Sequence, residues 1–118
     1  MGEKFMGHER RRHSRLIASF VVSYRIKEIP NNSDLTQTKN VGQGGLLLTT
    51  NKKFDKGTLL AVTIRFPFAP QKIELTGRVI ESKEVARDLI YETRMCFLDS
   101  DEDFFRQLGK FVETRLKR

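Results

Sequence analysis

The chain has 118 residues, the size of one domain, and its 38% hydrophobic content, with nine Phe and no Trp, is enough for a core that needs no staples. Lys and Arg number 22 against 15 Asp and Glu, and the resulting net charge of +7 favours anionic partners: nucleotides, nucleic acid or an anionic membrane face. The single cysteine, Cys96, excludes an internal disulfide, and no run approaches the ~20 apolar residues of a membrane span, the longest candidate (16–24) carrying Ser19 and Ser23. The N-terminus has no apolar signal region, so the expected location is cytoplasmic and no membrane insertion is expected.

Residues 1–9 are small and polar without periodicity and read as a flexible tail ahead of a domain over 10–118. Four arginines, Arg10, Arg11, Arg12 and Arg15, follow within six positions. A charge run beside a strand is ordinarily a solvated face, so this cluster gains meaning only from what lies near it. Residues 16–25 alternate: Leu16, Ala18, Phe20, Val22 and Tyr24 share one parity, Ile17 and Val21 the other, which predicts a strand. Residues 30–34 read as a loop and 35–39 as a weakly marked strand.

The stretch Asn40-Val41-Gly42-Gln43-Gly44-Gly45 is a glycine-rich turn. Such density suggests positive φ angles or a close backbone approach. It lacks the ending of a phosphate-binding P-loop and the spacing of a dinucleotide fingerprint. Residues 46–50 read as a strand, and Asp55-Lys56-Gly57 as a turn. In 59–66, Leu60, Val62, Ile64 and Phe66 define one buried side, which Pro67 and Pro70 end. Residues 71–80 alternate again, with Ile73, Leu75 and Val79 inward; 81–88 read as a charged loop. Residues 89–97 close the set with Leu89, Tyr91, Met95 and Phe97 on one side.

The end changes period. Ser100 is the expected cap of a helix over about 100–118, with Asp101, Glu102 and Asp103 at its positive end. Phe104, Leu108, Phe111, Val112 and Leu116 follow at helical spacing, a face that suits a barrel mouth better than a membrane. About six strands and one helix describe an all-β antiparallel barrel or sandwich with a helical plug.

No nucleophile-and-base pair and no zinc spacing is present. His8 and His13 both lie in the basic N-terminal region, and Cys96 reads as an inert thiol, so no enzyme, metal or cofactor is expected. What the sequence does offer is arginine chemistry. A guanidinium grips phosphate oxygens or the O6/N7 edge of guanine with two prongs, and Arg11 and Arg15 can both reach one ligand. The glycine turn adds backbone N–H groups and room for close approach.

On these residues the chain resembles the PilZ domains. Arg11-Arg12-His13-Ser14-Arg15 is similar to their RxxxR motif, and Asn40 to Gly45 sits where their (D/N)xSxxG motif belongs. Gly77-Arg78-Val79 is similar to the family's G-x-V strand, and the resemblance spans about 9–112. It implies a six-stranded antiparallel β-barrel that binds cyclic di-GMP and signals through an effector protein. In the family, the first motif's arginines hold phosphates and guanine edges, carried here onto Arg11 and Arg15. The second motif contacts a guanine, carried onto Asn40 and Gly45. Arg10 corresponds to a position that bears on whether one ligand or an intercalated pair binds. Two departures stand out: Asn40 where Asp is commoner, and Gly42 where the motif has Ser, which removes a hydroxyl worth about 0.5–1.5 kcal/mol. A PilZ-like interaction module without nucleotide is the alternative. Nucleic acid is disfavoured, because the one tempting aromatic pair, Phe66 and Phe68, includes a residue of buried parity.

Overall fold

The structure, a computed structural model, describes residues 15–30, 33–99 and 101–116. The expected tail, Arg10, Arg11, Arg12 and Ser100 lie outside them. Among the described residues seven strands and one helix follow in order: β1 (Arg15–Leu16), β2 (Val21–Ile26), β3 (Asp34–Gly42), β4 (Gly45–Thr50), β5 (Leu59–Ile64), β6 (Ile73–Ala86), β7 (Ile90–Phe97) and α1 (Glu102–Leu116). Every pairing is antiparallel, and the order β3-β2-β5-β6-β7-β4 closes because β4 also pairs with β3. The result is a closed six-stranded barrel, with the two-residue β1 laid on the end of β3 beyond β2. Closure removes the open sheet edge that a protein of this size would otherwise expose.

The alternation read from the sequence sets the wall of the barrel. Val22, Leu46, Leu48, Leu60, Val62, Ile64, Val79 and Met95 point inward and are at most 1% exposed, whereas Ile17 and Val21, of the opposite parity, lie open. Packing so many large apolar side chains at roughly 1.5–3 kcal/mol each makes the barrel interior the main source of stability.

One end of the barrel is stoppered by α1. Leu108 and Val112, one helical turn apart, are buried, and Phe104 and Phe111 flank them. Fully buried Phe66 centres an aromatic cluster, with ring centroids 5.5 Å from Phe20, 5.3 Å from Phe68 and 5.9 Å from Phe104. Phe66 and Phe68, the pair considered as a stacking platform for bases, are thus spent on the core. Asp101 caps the helix, its Oδ1 accepting from Phe104 N at 3.0 Å, and Arg115 lies 4.6 Å over the Phe111 ring near the other end.

Three expectations are corrected. The strand expected over 16–25 is interrupted at 17–20: Thr38 Oγ1 donates to Ala18 O and accepts from Phe20 N at 2.9 Å, so a side chain takes over part of the ladder there, while Thr38 N still donates to Phe20 O. The charged loop expected over 81–88 is largely strand. β6 runs to Ala86 and pairs with β7 as far as Ile90, its charges facing water. Leu89, expected inward, sits in the turn and is 67% exposed, next to Asp88 at φ 59°.

Inside the wall a hydroxyl chain satisfies the buried polar groups. Thr50 Oγ1 donates to Lys52 O at 2.9 Å, so it accepts from Thr93 Oγ1 at 2.8 Å. Ser82 Oγ accepts from Phe54 N at 3.2 Å, which leaves its proton for Thr93 at 2.8 Å. The direction of all four bonds follows from the two backbone ends.

Candidate functional site

The site is built at the far end of β3. Val41 faces inward and is fully buried, so its neighbours Asn40 and Gly42 face out. The β3–β4 hairpin folds back through Gln43 and Gly44, pairing Gly42 with Gly45 and Asn40 with Leu47. On the other side of β3, β1 pairs Arg15 with Gly42. Arg15, Gly42 and Gly45 therefore form one cross-strand row, with Asn40 in the next.

Arg15 and Asn40 are joined directly: Arg15 Nη1 donates to Asn40 Oδ1 at 2.9 Å, and both side chains are half-buried. A charged donor makes this the stronger class of hydrogen bond. It holds the guanidinium on the outer face of β3 and engages the amide's acceptor oxygen.

The glycines serve the geometry differently from one of the two ways expected. Among the described residues Gly57 is the one glycine with positive φ, at 95° in the turn before β5. Gly45 is needed for close approach: a Cβ built there would fall on the Met95 carbonyl oxygen of β7. Gly42 and Gly45 are both buried, so the main chains of β1, β3, β4 and β7 crowd together beside Asn40.

Register adds residues that the sequence reading did not assign. Across β4, Leu47 pairs with Arg94, and Gly45 pairs with Cys96, which in turn pairs with Arg78. Their parity is opposite to that of buried Val79 and Met95, so Arg78, Arg94 and Cys96 share the outer face with Asn40. Alternation along β6 and β7 gives this parity from sequence; only the pairing register shows that it meets β4 there. Of the six residues expected at the site, the structure brings Arg15, Asn40, Gly42 and Gly45 together, while Arg10 and Arg11 lie outside the described residues.

The hairpin turn also touches the helix. The Gln43 side chain reaches Gly109 of α1 and lines a cleft of about 420 Å³ with Asp99, Glu102, Phe105 and Arg106. Arg106 is paired with Asp103 at 2.8 Å and Asp99 Oδ1 accepts from Thr76 N at 2.7 Å. Among the described residues no group of three metal-ligating side chains is present. The arrangement suits binding of an anion or a planar heterocycle by guanidinium and amide groups.

The chain is thus a closed antiparallel barrel with a helical stopper that carries an arginine–asparagine pair on its outer face. The PilZ domain profile matches residues 9–114, and the chain belongs to that family. No curated protein matches the chain by sequence. Among solved structures, the Bacillus subtilis inhibitor of motility MotI (DgrA) superposes with a TM-score of 0.73 at 16% identity, over 90% of this chain and 51% of that one. The PilZ domain of Escherichia coli YcgR, solved with c-di-GMP, gives 0.65 at 14% identity, over 89% and 90%. The K. pneumonia MrkH–c-di-GMP complex gives 0.64 at 17% identity, over 92% and 55%. The chain thus spans about half the length of MotI and MrkH and nearly all of the YcgR domain.

Proposed function

We propose that the chain binds cyclic di-GMP on the outer face of β3 and β4 and passes the bound state to a partner protein. The observation that carries this is the Arg15–Asn40 hydrogen bond, which unites the two motif segments across 25 positions of sequence. Arg11 and Arg15 take phosphate oxygens and a guanine O6/N7 edge; Asn40 and the Gly42–Gly45 row meet a guanine; Arg10 contributes to how many ligand molecules are held. Arg78 and Arg94 extend the positive field across the same face. The ligand is a dianion, and neutralising the segment that carries Lys4, Arg10, Arg11 and Arg12, next to Arg15 on β1, favours its docking on the barrel, where a partner reads the altered surface.

A second reading is favoured by one feature. Gly42 presents no hydroxyl where the motif has Ser, and a PilZ domain without nucleotide acts through protein contacts alone. The two readings separate with Arg11→Ala/Arg15→Ala, assayed by equilibrium binding of cyclic di-GMP alongside a thermal melt. Loss of most affinity with an unchanged melt supports the nucleotide reading. Equal affinity in the double variant and the parent contradicts the site assignment.

A further inference from the structure

The outer face of β2 and β5, with the start of β3, carries a groove that the nucleotide reading does not use. Ser23 of β2 pairs with Leu35 of β3 on one side and Thr63 of β5 on the other, and Val21 pairs with Gln37. The short hydroxyl side chains of Ser23 and Thr63 form a floor, and Val21 and Leu35 stand beside it, 66% and 79% exposed. The groove encloses about 240 Å³ and is lined also by Arg65 and Lys72. Leu35 also borders a neighbouring cleft of about 180 Å³ lined by Leu89 and Ile90, which are 67% and 41% exposed. Four exposed aliphatic side chains therefore form one continuous track over two concave sites, where isolated surface aliphatics would be unremarkable.

The two concave sites differ in charge: Asp34 lines the cleft by Leu89 and Ile90, whereas the charged residues lining the groove by Val21 are Arg65 and Lys72. Glu74, which faces Thr63 across β5 and β6, has its carboxylate held by Arg25 at 3.0 Å. Neither Arg65 nor Lys72 has a carboxylate partner among the described residues. Two uncompensated cations lining a groove with exposed aliphatic side chains leave a site that an acidic group beside an aliphatic side chain complements. The floor hydroxyls suit the carbonyl groups of a polypeptide, and the concave shape admits single side chains, which a lipid sheet does not supply.

We infer that the groove between Val21, Leu35, Arg65 and Lys72 docks an acidic segment of a partner protein that carries an aliphatic side chain. The aliphatic group seats on Ser23 and Thr63 between Val21 and Leu35, and a neighbouring Asp or Glu meets Arg65 and Lys72. The inference stands apart from the nucleotide reading, and its test is run without nucleotide.

The test is selection of random 12-residue displayed peptides on the full chain, then anisotropy titration of the best synthetic peptide. Enriched peptides should place Asp or Glu beside Leu, Ile, Met or Phe. Affinity should fall about tenfold or more in Leu35→Asp and in Arg65→Glu/Lys72→Glu, consistent with loss of a central contact. Replacing the peptide's acids by Lys should restore binding to the charge-reversed protein, and both variants should melt as the parent does, since all three side chains lie on the surface. The inference is overturned if no such peptide is enriched, or if the best peptide binds Leu35→Asp as tightly as the parent. Two other results also overturn it: Leu35-dependent sedimentation of the protein with phosphatidylglycerol vesicles, and a dimer of the parent that Leu35→Asp dissociates.

Discussion

Arg15 Nη1 lies 2.9 Å from Asn40 Oδ1, so the residue that starts β1 and one near the end of β3 share a single hydrogen bond. This bond engages the amide's acceptor oxygen, and an amide has one acceptor and one donor group. Guanine's Watson–Crick edge carries donors at N1 and N2 and one acceptor, O6, so an amide matches it less fully than a carboxylate, which can accept from both donors. Asn40→Asp keeps one oxygen for Arg15 and offers the other to guanine. The expected outcome is about two- to tenfold tighter binding of cyclic di-GMP, the difference of roughly 1 kcal/mol between a neutral and a charged hydrogen bond. Parallel titrations of the parent and the variant measure it, and weaker binding by the variant would contradict this account of position 40.

Two glycines near the site should respond oppositely to alanine. At Gly45 the new methyl group meets the Met95 carbonyl oxygen, a main-chain atom that moves only with the sheet. Gly45→Ala should lose about 1–3 kcal/mol, as overpacking does. At Gly109 it meets the end of the Gln43 side chain, which can swing aside. Gly109→Ala should gain up to about 1 kcal/mol from helix propensity, while displacing Gln43 from α1. Urea denaturation of the two variants reads both signs.

The hydroxyl chain makes Thr93 a single point of failure. Thr93→Val preserves shape, yet it deprives Ser82 of an acceptor and Thr50 of a donor. The expected cost is about 1–3 kcal/mol, the penalty for leaving buried polar groups unmatched. A melting temperature within error of the parent would show that these hydroxyls find other partners.

Tyr24 ties stability to alkaline pH. Burial, and secondarily the nearby Asp34 carboxylate, push its phenol above the ordinary 10.0, against the opposing effect of hydrogen bonding at Asn51. The folded chain thus holds the proton more tightly than the unfolded chain does. This contribution is fully present below pH 10.0 and is lost as pH rises through the raised folded value. Tyr24→Phe should flatten the fall of the denaturation midpoint above that pH and leave its slope at neutral pH unchanged.

Much of the fold was legible because alternation is a local property. The parity of Leu60, Val62, Ile64 and Phe66 survives intact as a buried row, and the stopper helix follows from the spacing of Leu108 and Val112. The misses have non-local causes. The break at 17–20 depends on Thr38, which reaches the segment only after β3 has paired. The extension of β6 to Ala86 depends on β7 lying alongside, which outweighs the loop-like composition of 81–88. At the site, the motifs named Arg15, Asn40, Gly42 and Gly45, and the structure unites them. Arg78 and Arg94 were not assigned because their membership of that face is a matter of register between strands, and parity within one strand does not supply it.

The central claim is that this face binds cyclic di-GMP, and calorimetric titration of the purified chain tests it most directly, with GTP and the linear dinucleotide as controls. The account predicts saturable heat for cyclic di-GMP alone, with a stoichiometry that counts the ligands held beside Arg10. Absence of heat at high protein concentration, or equal heat from GTP, would contradict it.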